Sequence, residues 1–119
     1  MALNITATQI GEAVILRLSG VIYFGEESAS LRLRVKDLLA SSRQIVLDLT
    51  GVTHIDSGGL GTLVGLYTSA RKAGAEIKLA NLGTHPKEVL QITKLVTVFE
   101  IYERAEDAAA SFQKATAAT

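Results

Sequence analysis

Residues 45–49, Ile-Val-Leu-Asp-Leu, are apolar but for one aspartate, and this short run constrains the fold more than any other segment. A strand with one wet face would alternate, whereas a nearly continuous apolar strand must be covered on both faces. Covering both faces of a sheet takes helices on either side, and the segments flanking the run supply candidates for them.

Before it, Leu3, Ile5 and Ala7 alternate with polar residues, and Val14, Leu16 and Leu18 do the same. Gly11-Glu12 between them is a turn, so the chain is predicted to open with a β-hairpin. Residues 20–25 are a glycine-bounded bend. From Glu26 the period changes: Leu31, Val35, Leu38 and Leu39 form a helical stripe, with Arg32, Arg34 and Lys36 mostly outside, ending near Ser41-Ser42.

After the apolar run, a loop is expected over residues 50–56. Leu60, Leu63, Val64 and Tyr67 mark a second helix, stopped by a left-handed cap at Gly74. Ile77 and Leu79 give a short strand. Pro86 suits the first position of a third helix, with His85 before it and Val89 and Leu90 inward. Val98, Phe99 and Ile101 suggest a last short strand, and Ala105, Ala108, Ala109 and Phe112 a final helical stripe with Glu106 and Asp107 in its first turn. The order ββαβαβαβα predicts one α/β domain over residues 1–113, with a mostly parallel or mixed sheet of four to five strands and about four helices. Residues 114–119 are expected to fray as a small polar tail.

Composition narrows the function. With 12 basic and 12 acidic side chains the net charge is zero, which removes the broad attraction to phosphate backbones, so no direct nucleic-acid contact is expected. There is no cysteine, hence no disulfide framework and no thiolate metal site. The start, Met1-Ala2-Leu3-Asn4, lacks a basic segment followed by an apolar run, and no apolar stretch approaches the ~20 residues that span a bilayer. The expectation is a cytoplasmic protein without membrane insertion.

The segment that carries chemistry is Val52-Thr53-His54-Ile55-Asp56-Ser57-Gly58-Gly59-Leu60-Gly61, between the central strand and the second helix. In α/β sheets, loops leaving the carboxyl ends of strands are where function usually sits. Ser57 falls where a helix N-cap belongs, its hydroxyl placed to accept from a first-turn N–H. Glycines follow at 58, 59, 61 and 65. In a helix each costs roughly 1 kcal/mol relative to alanine, so close backbone approach, to the sheet below or to a partner above, is the expected use of these positions.

With the strand in front of it, Ile55-Asp56-Ser57-Gly58-Gly59-Leu60-Gly61 resembles the phosphorylation loop of the STAS domain family, whose bacterial anti-sigma factor antagonists carry Asp-Ser-(Ser/Thr/Gly)-Gly-Leu-Gly there. The similarity extends to Gly20, Gly74 and Pro86 and covers residues 5–112. It implies a STAS-like fold, no cofactor and no catalysis by the chain itself. It also implies that Ser57 is the phosphoacceptor, modified by a partner that is both anti-sigma factor and serine kinase and reset by a serine phosphatase. The unphosphorylated form would bind that partner and free a sigma factor. Asp56, Gly58, Gly59 and Gly61 would shape the loop and helix start. Tyr23, Thr53, His54 and the exposed side of the second helix would meet the partner. The family usually places an aspartate where Tyr23 stands here, and often a second hydroxyl residue where Gly58 stands. Two other roles fit the same family: a subunit of a sensory, stressosome-like assembly, or an accessory subunit of a membrane transport complex.

Other chemistries fit less well. Asp56-Ser57-Gly58-Gly59 resembles a chymotrypsin-like nucleophile segment, but Ile55 precedes it where glycine belongs, and only His54 and His85 could act as base. The Gly-x-Ser-x-Gly elbow is absent. No lysine follows the glycine-rich turn before Lys72, as a nucleotide-cradling loop would need. Asp48, Asp56, His54 and His85 show no close ligand spacing for a metal. Asp48 on the central strand suggests a phospho-aspartate receiver, but receivers open with a strand and helix and an early acidic pair, and this chain opens with a hairpin.

Overall fold

The apolar run 45–49 lies at the centre of the sheet and is buried throughout, Asp48 included. The computed structural model describes residues 2–118, with side chains through residue 112. Strands β1 (Leu3–Ile10) and β2 (Ala13–Ile22) form the opening hairpin, with Gly11 at φ 60° in its turn. Then follow α1 (Glu26–Leu39), β3 (Gln44–Ile55), α2 (Ser57–Lys72), β4 (Glu76–Ala80), α3 (Thr84–Ile92), a 3₁₀ turn (Leu95–Thr97), β5 (Ile101–Tyr102) and α4 (Ala105–Ala118). The five strands lie in the order β1-β2-β3-β4-β5, antiparallel at the first pair and parallel at the other three. The expected mixed sheet and element order are therefore present.

Both faces of β3 are covered, as its composition requires. Ile45, Leu47 and Leu49 join Leu16, Leu18, Ile77 and Leu79 on one face, under Leu31 and Val35 of α1, Leu63, Leu66 and Ala70 of α2, and Leu90 of α3. On the other face Val46, Ala13, Ile15 and Ala80 meet Ala105, Ala108, Ala109 and Phe112 of α4. Small alanines let α4 lie close to the strands, which leaves three helices for the opposite layer.

Four local expectations are corrected. Residues 50–55 are strand, not loop: β3 parts from β4 after Asp48 pairs with Ala80, and goes on to pair with β2 alone, Val21 opposite His54 and Ile22 opposite Ile55. Burial of Val52 and Ile55 against the core outweighs the polar residues between them. Helix α3 starts at Thr84, so Pro86 is its third residue and His85 lies inside it. Proline is tolerated there because first-turn N–H groups have no intrahelical acceptor anyway. Val98 and Phe99 are not strand; they follow the 3₁₀ turn, and Phe99 is buried in the core. The fourth concerns the cap of α2 and is described with the site. The tail expected over 114–119 continues α4 through Ala118, while its side chains and Thr119 lie outside the described residues. Gly74, at φ 79°, ends α2 as expected.

Candidate functional site

The site grows from the place where β3 and β2 end together. Asp56 follows the last residue of β3 in extended conformation, with its backbone N–H 3.3 Å from the carbonyl oxygen of Ile22. Its carboxylate accepts from the Gly59 N–H at 2.8 Å, so Asp56 is the N-cap of α2. Ser57, expected in that role, is instead the first helical residue. Aspartate and serine cap about equally well, and here Asp56 is the one left outside the helix.

The Asp56 carboxylate has a second task. Both of its oxygens lie 3.1 Å from the Phe24 N–H, in the connection between β2 and α1. One side chain thereby ties two loops to one helix start. The glycines make this approach possible: a Cβ on Gly58 would lie 2.4 Å from the Phe24 Cβ, and one on Gly59 1.9 Å from the Ile22 carbonyl oxygen. Gly61 and Gly65 are different, since nothing lies within 4 Å of where their Cβ atoms would be. Close approach to Phe24 in the connection after β2 explains Gly58, and close approach to Ile22 at the end of β2 explains Gly59; neither applies to Gly61.

Ser57 is exposed, and its hydroxyl makes no hydrogen bond among the described residues. It stands at the N-terminus of a 16-residue helix whose first turn carries no acidic residue. The partial positive charge there is met by the Asp56 carboxylate at the cap and favours a further anionic group only at the N–H groups Asp56 leaves open.

The remaining expected residues surround this start. Tyr23 is half-buried; its carbonyl oxygen accepts from the Ser28 N–H at 3.1 Å and the Ser28 hydroxyl at 2.7 Å, which secures the connection preceding α1. Thr53 and His54 are exposed on the part of β3 that pairs only with β2. The Thr53 hydroxyl donates to the Gly20 carbonyl at 3.3 Å and lies 3.1 Å from His54 Nδ1.

Three features were missed in the sequence. Phe24 lies in the bend of residues 20–25, next to the expected contact Tyr23, and it is 81% exposed beside Gly58. His54 and His85, 31 residues apart, come together with ring centroids 4.6 Å apart, and His85 Nδ1 is buried without a hydrogen-bond partner among the described residues. Arg32 of α1 donates to the Thr62 hydroxyl of α2 at 3.3 Å, linking the two helices behind the site. No spacing rule connects such pairs before the strands and helices that carry them are placed. Among the described residues no group of three or more side chains is arranged to hold a metal. A groove of about 760 Å³, lined by Thr50, Asn81, Lys87, Phe99, Tyr102 and Glu103 among others, takes none of its lining from residues 56–61.

Asp48, the residue that suggested a receiver, has a structural setting. Its carboxylate accepts from the Thr50 N–H and the Asn81 amide, each at 3.0 Å, from the Thr50 hydroxyl, and from Arg17 Nε at 3.3 Å. It is 1% exposed and staples β3 to β4 where the strands part. Burial pushes its pKa up, but the hydrogen bonds from Thr50, Asn81 and Arg17 prevail and hold it below the ordinary value.

Over 117 residues the chain is 29% identical to BtrV of Bordetella bronchiseptica, assigned to the anti-sigma factor antagonists, covering 95% of this chain and 97% of that one. Its fold matches an anti-sigma factor antagonist from Mycobacterium paratuberculosis at a TM-score of 0.77, with 21% identity and 92% of each chain covered. It also matches the Bacillus cell fate determinant SpoIIAA in its phosphorylated form at a TM-score of 0.71, with 17% identity over 92% of this chain and 99% of that one. The sequence model of the STAS domain spans residues 4–108, so the chain belongs to the STAS domain family, among homologues named as anti-sigma factor antagonists.

Proposed function

We propose that this chain is an anti-sigma factor antagonist whose hold on an anti-sigma factor is switched by phosphorylation of Ser57. One observation carries the reading: Asp56 takes over the helix cap, so the exposed Ser57 hydroxyl has no structural bond to lose when modified. A phosphate there carries about −1.5 to −2 charge and lies beside the first-turn N–H groups of α2 that Asp56 does not take, those of Gly59 and Leu60 being already bonded to it. The fold tolerates it. Across an interface the same group is bulky, strongly hydrated and adjacent to Asp56. A loss of ~3 kcal/mol in binding weakens association more than a hundredfold.

In this reading the partner is an anti-sigma factor with serine kinase activity, and a serine phosphatase restores the binding form. The chain is a substrate of enzymes and not itself one. It works in the cytoplasm, in keeping with a structure in which no described helix is long and apolar enough to cross a membrane. Gly58, Gly59 and Asp56 hold the acceptor in place, while Tyr23, Thr53 and His54 border the face the partner covers.

The test is an affinity capture from the native host with wild type, Ser57→Ala and Ser57→Asp as baits. The expected result is an ATP-binding anti-sigma factor retained by wild type and the alanine variant and lost with aspartate. Recovery by all three baits of one transporter subunit, or of one large sensory complex, overturns the switch.

A further inference from the structure

We infer that Phe24 is the apolar anchor of the partner interface, and that the anti-sigma factor offers it an apolar pocket; this rests on the reading of Ser57 just given. Phe24 is 81% exposed, more than any other large apolar side chain among the described residues. An aromatic ring left in water is ordinary on a mobile loop, but the backbone that carries this one is held. Its N–H is fixed by both oxygens of Asp56, and the carbonyl of Tyr23 before it takes two bonds from Ser28. Its ring lies over the start of α2, where a Cβ at Gly58 would come within 2.9 Å of the Phe24 Cδ1. Gly58 is thus the seat of the ring.

A ring carried on backbone that is already fixed costs little main-chain freedom when a partner covers it, and aromatic side chains are among those on which binding energy concentrates. Its position is continuous with the Ser57 face, since Ser57 is the neighbour of Gly58. The two departures from the family pattern belong together on this view. Tyr23-Phe24 puts an uncharged aromatic pair where the family usually carries an aspartate, and Gly58 gives up a side chain to make room. Recognition here is apolar where a carboxylate would call for a cation on the partner. A phosphate on Ser57 would keep water beside the ring and so oppose the desolvation on which an apolar anchor depends.

The test uses the purified anti-sigma factor retained by the Ser57→Ala bait, with dissociation constants measured for wild type, Phe24→Ala, Phe24→Trp, Leu33→Ala and Ser57→Asp. Leu33 is also exposed, at 65%, but lines a separate groove with Leu3 and Asp37. We expect Phe24→Ala to weaken binding about thirtyfold or more, the loss that marks an interface hot spot, with an unchanged circular dichroism spectrum. Phe24→Trp should stay within about fivefold of wild type and Leu33→Ala should match it. If Phe24→Ala binds within threefold of wild type while Ser57→Asp does not bind, the anchor is overturned and the switch stands. If no anti-sigma factor is retained, or Ser57→Asp binds as wild type does, both fall. If sedimentation shows a wild-type dimer that Phe24→Ala converts to monomer, the ring is covered by a second copy of this chain and the proposed occupant is wrong.

Discussion

Gly59 lies so close to Ile22 that a Cβ added to it would sit 1.9 Å from the Ile22 carbonyl oxygen and 3.1 Å from its Cγ2. That carbonyl also accepts from the Asp56 N–H, so the end of β2 and the first turn of α2 meet backbone to backbone. Backbone cannot swing aside as a flexible side chain would. Gly59→Ala is therefore expected to destabilise the chain by about 3 kcal/mol, at the upper end of overpacking. Gly61→Ala has the opposite sign, because its Cβ would meet nothing within 4 Å and alanine gains about 1 kcal/mol of helix propensity. Urea unfolding of the two variants checks both; equal effects would show that the glycines act only through propensity.

The division of labour between Asp56 and Ser57 can be measured in the same way. Asp56→Ala leaves the Gly59 and Phe24 N–H groups without their acceptor, and should cost about 2 kcal/mol, the upper range for loss of an N-cap. Ser57→Ala removes a hydroxyl that bonds to nothing among the described residues, and should change stability by less than about 0.5 kcal/mol. If thermal unfolding shows the two reversed, the cap is Ser57.

These contrasts show what could be read from the chain without coordinates. Element order, the doubly covered strand and the final alanine stripe were legible because burial imposes periods of 2 and 3.6 on the sequence. The limits of β3 were not, since Thr50, Thr53 and His54 look like loop residues until Val52 and Ile55 are seen to be buried. The position of Ser57 was legible to within one residue only: Asp56 and Ser57 are both good caps, and sequence gives no φ angle to choose between them. Phe24 was invisible for another reason. Its setting depends on a carboxylate 32 residues away and a glycine beyond that, a long-range coincidence without a period.

Acid should find Asp48. Its pKa is lowered in the folded chain by the Thr50, Asn81 and Arg17 hydrogen bonds, which outweigh the upward push of burial. A carboxyl group with a folded pKa below its unfolded one contributes stability that is fully present above the ordinary value of 3.8 and is lost as pH falls through the folded value. Glu100 is shifted in the same direction, by hydrogen bonds from Tyr102 and Lys78. Wild-type stability should therefore hold down to about pH 5 and fall progressively below it, first as the share from Glu100 and then that from Asp48 is lost. Asp48→Asn should be less stable by about 2 kcal/mol at neutral pH, with a shallower acid limb that keeps the share from Glu100. An unchanged acid limb in this variant would remove Asp48 from the account.

Phosphorylation of Ser57 should alter association and leave the fold alone. Two local charges act on the phosphate in opposite senses. The Asp56 carboxylate precedes it in the chain and repels it, while the first-turn N–H groups of α2 attract it by about 0.3–1 kcal/mol at an exposed helix start. Neither contribution approaches the stability of a domain, and the hydroxyl that carries the phosphate holds no bond that must break. With phosphoserine incorporated at position 57 during synthesis, far-UV circular dichroism should match that of the unmodified chain, and Tm should move by no more than about 5 °C. Loss of helical signal would mean that the phosphate has displaced Asp56 from the Gly59 N–H and opened the start of α2. The switch would then be a local unfolding of the face, and Phe24, released from Asp56, would lose its fixed backbone along with the cap.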